Sequence, residues 1–321
     1  MKAAVYDRYG PPEVVQIRDA PMPVPKAGEL LVESRAATVN SGDARLRALR
    51  VPRGMSVLVR LTMGVTKPRR SVLGFEVAGR VSEVGSGVTG FRPGDRVVAS
   101  RGFKLGCHAE YITVGEHGQV ARIPDKVSDE AAVALCFGGS TALHFLERGK
   151  LSKGDSILIN GASGAVGAIA VQLAKHRGAE VTAVCSDANA DVARGVGADH
   201  VIDYTTQDFT QNGQRYDVIM DTHGNAPYAR VKNSLKPGGR FLMVVGDLFQ
   251  TVASAWQRAT IGGTSKVSGE IYRTLMSLAE QGVLKPVIDT VLPFEQIVEA
   301  HRRVDSGHKV GSLVLTFGDD H

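Results

Sequence analysis

Ile157-Leu158-Ile159-Asn160-Gly161-Ala162-Ser163-Gly164-Ala165-Val166-Gly167 is the stretch on which the fold of this chain turns. Residues 157–160 read as a short buried strand, and 165–177 as a helix with apolar positions spaced for packing. The link between them has the pattern Ala-x-Gly-x-x-Gly, with Ala162 where a first glycine usually sits and Gly161 just before it. Gly164 lets the backbone approach a pyrophosphate, and Gly167 permits close helix–strand packing. The helix N-terminus supplies unpaired N–H groups and a partial positive charge. A glycine turn alone is equally a structural turn, and one after a strand also serves other nucleotide cofactors, as in methyltransferases. Here the strand–turn–helix setting is right and more βα units follow, so a dinucleotide site is expected.

Outward from the loop, strands at 181–185, 200–203, 217–221 and 240–245 alternate with helical segments, which implies a parallel sheet with right-handed crossovers. The first 120 residues differ. Short apolar runs at 29–34 and 96–99 sit between turns such as Gly10-Pro11-Pro12, Pro21-Met22-Pro23 and Arg92-Pro93-Gly94-Asp95, the look of a small barrel-like β domain. Near the end, Phe294, Ile297, Val298, His301 and Val304 share one helical face, and residues 312–317 form a final apolar strand. The expected plan is a β-rich domain, residues 1–124 and 266–321, interrupted by an α/β domain at 125–265.

Composition agrees with that plan. The 321 residues suit about two domains. With 43% apolar and 22% charged residues the chain is an ordinary globular protein rather than a disordered one. Its three scattered cysteines, Cys107, Cys136 and Cys185, exclude a disulfide framework and a four-cysteine structural zinc site. The uncharged run 157–174 holds Asn160, Ser163, Gln172 and three glycines, so it is a strand, turn and buried helix rather than a membrane span. Residues 1–10, MKAAVYDRYG, carry charges where a secretory leader needs an apolar core, and the expected compartment is the cytoplasm. The net charge of +5 favours anionic partners.

Cofactor choice turns on the second strand of the α/β unit. An NAD site places an acid at its end to grip the ribose 2′-hydroxyl. This strand ends in Cys185-Ser186, which leaves room for a 2′-phosphate and favours NADPH. Asp187 follows too late for that role but close enough to keep NADH open, and no Arg or Lys appears before Arg194.

Ordered motifs extend across the chain. They include Ala37-Thr38-Val39-Asn40-Ser41-Gly42-Asp43, Leu73-Gly74-Phe75-Glu76-Val77-Ala78-Gly79, and Val84-Gly85 through Phe91-Arg92-Pro93-Gly94-Asp95-Arg96-Val97. Further along stand Ala109-Glu110-Tyr111, Gly139-Ser140-Thr141-Ala142-Leu143, the glycine loop, Gly197-Ala198-Asp199-His200-Val201-Ile202-Asp203-Tyr204, Asp221-Thr222-His223-Gly224-Asn225 and Ala300-His301-Arg302-Arg303. With these the chain resembles the medium-chain dehydrogenase/reductase superfamily, in its zinc-independent quinone oxidoreductase-like branch. The resemblance implies an α/β protein with a GroES-like β-rich catalytic domain, a Rossmann doubly wound parallel sheet, and a cofactor cleft between them. It also suggests a homodimer.

Zinc-dependent relatives take catalytic ligands from a Cys in the first motif and from the His of a Gly-His-Glu motif. Here those places hold Ser41 or its neighbours and Phe75, so no metal site is expected. His108 beside Cys107 reads as a strand residue and a core thiol. Without zinc to stabilise an alkoxide, direct hydride transfer to a quinone or an α,β-unsaturated carbonyl is the expected chemistry, since the substrate carbonyl spreads the developing charge. The resemblance places Asn40 and Thr141 near the nicotinamide. It gives Gly161, Ala162, Ser163, Gly164, Ala165 and Val166 to the pyrophosphate, and Ser186, Asn189 and Tyr204 to the 2′-phosphate. Thr222, Val245 and Gly246 fall beside the nicotinamide ribose and ring. Relatives often carry a basic residue in the 186–189 turn, which is absent here. They also often carry a Tyr where this chain has Arg45, so the expected proton source is water.

Between Ala44 and Phe75 stand eight basic residues, Arg45, Arg47, Arg50, Arg53, Arg60, Lys67, Arg69 and Arg70, with no acid. Apolar residues interleave, as in Met55-Ser56-Val57-Leu58-Val59. The segment reads as a solvated helix and loop, as a basic lid for anionic or amphipathic substrates, or as a membrane-surface contact. It lacks the aromatic interleaving that base stacking needs, which argues against nucleic acid. His223 stands at a strand end near the expected cleft, as a cap or a titrating group. The rival to an enzyme is a non-catalytic NADPH-binding or RNA-binding protein of the same fold.

Overall fold

The computed structural model describes residues 1–50, 54, 56–254 and 256–318, with the backbone alone for 56–58. Arg53, Met55 and the side chains of Ser56, Val57 and Leu58 lie outside the described residues.

The amino-terminal part is a β meander. Strands β1 (Lys2–Val5) and β2 (Gln16–Asp19) form an antiparallel ribbon. Strands β3 (Glu29–Val39), β4 (Glu76–Val84), β5 (Arg96–Ser100), β6 (Tyr111–Gly115) and β7 (Gln119–Arg122) form an antiparallel sheet, in which β3 pairs with both β4 and β6. Helices α1 (Ser41–Ala48) and α2 (Ser56–Met63) fill the β3–β4 connection. Strand β3 runs five residues past the expected 29–34, because its small residues Ala36, Ala37 and Thr38 lie flat between two neighbouring strands.

A long helix, α3 (Asp129–Arg148), follows. Ser128 caps it by accepting from the Ala131 amide at 3.1 Å, and Asp129 and Glu130 complement its positive end. Then comes a region in which strands and helices alternate except between β10 and β11: β8 (Ser156–Asn160), α4 (Ala165–His176), β9 (Glu180–Cys185), α5 (Ala190–Gly195), β10 (His200–Asp203), β11 (Tyr216–Asp221), α6 (Tyr228–Val231), β12 (Leu235–Met243), α7 (Leu248–Ser254) and β13 (Thr260–Ile261). Its strands make one parallel sheet in the order β10-β9-β8-β11-β12-β13. That order reverses direction between β8 and β11. In an open α/β sheet, ligands bind outside the carboxyl ends of the strands at this switch point. Strand β12 begins at Leu235, earlier than the expected 240, and ends at Met243, so Val245 lies beyond it.

The remaining elements are α8 (Gly269–Glu280), β14 (Ile288–Pro293), α9 (Ile297–Asp305) and β15 (Ser312–Thr316). Strand β15 pairs antiparallel with β3, from Leu313↔Val39 to Thr316↔Ala36, and so returns the chain to the first sheet. Among the described residues no helix is long and apolar enough to cross a membrane.

Candidate active site

The glycine loop leaves β8 at the switch point. Gly161 has φ +82°, a left-handed conformation that side chains disfavour. The amides of Gly161 and Ala162 donate to the Val184 carbonyl of β9 at 3.0 and 3.1 Å, which pins the turn to the sheet. A Cβ at Gly167 would lie 2.2 Å from the Gly161 oxygen, so glycine there is what lets α4 start directly under the strand. Gly164 is the N-cap of α4 and brings no side-chain cap, and the first turn carries no acid. The leading amides of α4 are therefore available to an anion. A Cβ added at Gly164 would meet only the Gly161 oxygen, at 3.5 Å. That room, above a bare helix N-terminus, fits the pyrophosphate of a dinucleotide.

The neighbouring loops converge on this turn. Asn189 Nδ2 donates to Ser163 Oγ at 3.3 Å, bringing the post-β9 turn against the loop. Ser186 is half-buried at its start, while Asp187 and Tyr204 are exposed. Arg194 pairs with Asp191 at 3.0 Å. Thr222 Oγ1 donates to the Asn160 carbonyl at 2.8 Å and so buttresses the loop from β11. Asp221, buried at the end of β11, accepts from Asn160 Nδ2 and from the amides of His223, Gly224 and Ala226. His223 itself is exposed. Val245 covers Gly224, whose Cβ would approach it to 2.9 Å, and Gly246 sits against the Met243 thioether. On the carboxyl-terminal side, the Gly311 amide donates to the Ser163 carbonyl at 2.8 Å.

The residues expected near the nicotinamide, Asn40 and Thr141, lie between β3 and α1 and on α3. Asn40 is 4% exposed and is the N-cap of α1. Its Oδ1 accepts from the amides of Gly42 and Asp43, and Asp43 returns the bond to the Asn40 amide. Its Nδ2 points to Glu76 Oε1 at 3.4 Å. Thr141 Oγ1 donates back to the Phe137 carbonyl at 2.9 Å. Phe75 stands between Phe103 and Phe137, with ring centroids 6.1 and 6.2 Å away, and a Cβ on Gly42 would reach it at 3.0 Å. An apolar aromatic wall thus lies over the start of α1.

Buried ionisable groups stand behind this wall. Burial pushes the Glu76 carboxyl up to about 8, against the pull of the Thr38 hydroxyl. Burial also raises Asp43, opposed by His108, by the amides of Asn40 and Gly74, and by Arg47. The Cys107 thiol is pushed up to about 12, first by burial and then by Glu76. His108 Nε2–H donates to the Thr38 carbonyl at 2.9 Å.

The basic segment divides in two. Arg50, Lys67, Arg69 and Arg70 are exposed, and Arg60 donates to the Val65 carbonyl at 2.6 Å. Arg47 does not belong with them. It is fully buried and pairs with Asp305 of α9 at 2.5 Å. Its acid comes from the far end of the chain, so the absence of acids between 44 and 75 does not leave it unpaired. A separate cavity of about 360 Å³, lined by Tyr228, Lys232, Arg240 and Arg258 among others, opens at the amino-terminal half of β12, away from the switch point.

Residues 26–125 match the alcohol dehydrogenase GroES-like domain, and residues 196–315 match the zinc-binding dehydrogenase family. Over 98% of its length the chain is 32% identical to the chloroplastic quinone-oxidoreductase QR1 of Triphysaria versicolor, 98% of which is covered. The chain belongs to the medium-chain dehydrogenase/reductase superfamily. It is an oxidoreductase of the quinone oxidoreductase-like branch. It is also 30% identical to the chloroplastic NADPH-dependent alkenal/one oxidoreductase of Arabidopsis thaliana, over 98% of this chain and 79% of that protein. The solved quinone oxidoreductase from Coxiella burnetii aligns with a TM-score of 0.87 at 29% identity, covering 98% of this chain and 99% of that one.

For a member of this superfamily, the donor set here does not fit a catalytic zinc. Phe75 occupies one ligand place, and His108 Nε2 is committed to a carbonyl. Among the described residues no three His, Cys, Asp or Glu side chains are grouped to hold a metal. Two buried acids beside the candidate site escaped the sequence reading, Glu76 and Asp221. Both lie inside quoted motifs. Their signal was an acid opening or closing an apolar strand, where an acid is normally exposed.

Proposed function

We propose that this oxidoreductase reduces quinones or α,β-unsaturated carbonyls with NADPH, by direct hydride transfer and without zinc. The observation that carries the proposal is the glycine cradle at the sheet's switch point, with α3, the helix that carries Phe137, packed so close against the start of α4 that a Cβ on Gly138 would lie 2.2 Å from the Ala165 oxygen. When bound, the dinucleotide supplies the hydride. The chain's own residues bind and orient. Gly161 through Val166 would take the pyrophosphate on backbone amides, and Ser186, Asn189 and Tyr204 the 2′-phosphate. Thr222, Val245 and Gly246 would flank the nicotinamide ribose and ring, with Asn40 and Thr141 at its far end. Water would supply the proton. The acceptor class is supported by the named activities of the quinone and alkenal/one oxidoreductase relatives.

NADPH is favoured because Cys185-Ser186 closes β9 where an NAD site would place an acid, and because Asp203 is already bonded to Thr205. Comparing the two cofactors by titration tests this choice. NADPH binding tighter than NADH is expected, and the reverse order would overturn it. The same proposal takes the protein as a cytoplasmic homodimer.

A further inference from the structure

Glu76 opens β4 and is 2% exposed. A buried carboxylate is ordinarily paired with a cation. Among the described residues the ionisable group that raises Glu76 is another acid, Asp43 of α1, and Glu76 in turn raises Cys107 beyond β5, Cys136 of α3 and Tyr272 of α8, while Arg101 bears on Cys107. In place of a cation, two neutral donors converge on one oxygen. Thr38 Oγ1–H donates to Oε1 at 2.5 Å, and Asn40 Nδ2–H at 3.4 Å. Of the two neighbouring carboxyls, Asp43 is also raised by burial, but two backbone amides, His108 and Arg47 oppose that shift. Among the described residues no backbone amide and no cation acts on Glu76, which favours its protonated form.

We infer that Glu76 is a positioning residue of the cleft, held as the neutral acid, whose Oε1 fixes the Thr38 hydroxyl and the Asn40 carboxamide. This rests on the proposed cleft. Asn40 is held at both ends, its oxygen by α1 and its nitrogen by Glu76, so it has one orientation only while both anchors stand. Ionisation of Glu76 would set a buried negative charge beside the Asp43 carboxyl, close to where charge develops on the substrate oxygen. The neutral form is complete well below the raised value and is lost as pH rises through about 8. Turnover therefore falls over that window.

The test uses the full chain with NADPH and its best quinone or enone, across neutral to alkaline pH. Wild type is expected to lose kcat as pH passes about 8. Glu76→Gln, which keeps the accepting oxygen without the titration, is expected to show no such loss. Glu76→Ala is expected to lose about tenfold in kcat at neutral pH with KM for NADPH unchanged, and Glu76→Gln to restore most of it. Thermal unfolding of each variant checks folding, and if Glu76→Ala does not fold, the Glu76→Gln pH profile decides. Infrared difference spectra between wild type and Glu76→Gln supply a readout independent of turnover, a protonated-carboxyl carbonyl band at neutral pH. A missing band, an alkaline loss that persists in Glu76→Gln, or wild-type kcat in folded Glu76→Ala would each overturn the inference. Wild type that turns over no acceptor yet shows the band would defeat the proposed function and leave the neutral Glu76 standing.

Discussion

Gly164 and Gly167 stand three residues apart and answer to different constraints. Gly167 faces inward, where an added Cβ would meet backbone at 2.2 Å, so Gly167→Ala forces α4 away from β8. Thermal unfolding should show a loss of about 1–3 kcal/mol, the usual cost of overpacking. Gly164 faces open space and has an ordinary φ of −79°, so Gly164→Leu should fold with near-wild-type stability yet lose cofactor binding in a fluorescence titration. Equal losses of stability in both variants would contradict this division. Gly164 and Gly167 were legible because a fixed spacing between a strand and a helix carries the chemistry. Glu76 was not, because a lone acid in a strand reads as its exposed face, and its burial depends on α1, α3 and α8 closing over it.

Helix α1 is held to α9 by the Arg47–Asp305 pair, whose arginine side chain is fully buried while the aspartate keeps 18% exposure. Arg47 Nε and Nη1 have no protein partner among the described residues. Removing only the acid strands the cation, so Asp305→Ala should cost about 3–5 kcal/mol in denaturant unfolding. Arg47→Met, which removes the charge and keeps the apolar stem, should cost clearly less. A larger loss from Arg47→Met would show that the arginine's packing, not its charge, holds the helices. Sequence could not supply this contact, since the partners lie 258 residues apart. Elements with strong local signals fared better. Strand β10 spans the expected 200–203, and α4 starts where the glycine loop ends. The ends of β3 and β12 were missed because pairing with neighbours, rather than local pattern, extends them.

At the scale of the molecule, the loop proposed to hold the dinucleotide is tied to the antiparallel sheet through one short segment. The Gly311 amide bonds to Ser163, and Ser312 begins β15, which pairs with β3, the strand that carries Thr38 and leads into Asn40. The two ends of the proposed cleft are thereby built on one continuous hydrogen-bonded frame. The superfamily was readable end to end because its motifs punctuate every turn around that frame. The acceptor was not, because the wall proposed to meet it gathers Phe75, Phe103 and Phe137 from three separate stretches of chain. The most direct test of the account is NADPH oxidation followed with a panel of quinones and enones, before and after exhaustive chelation. Turnover on at least one class, unchanged by chelation, is the predicted result. Tight NADPH binding with no turnover on any acceptor, or turnover abolished by chelation and restored by zinc, would contradict it.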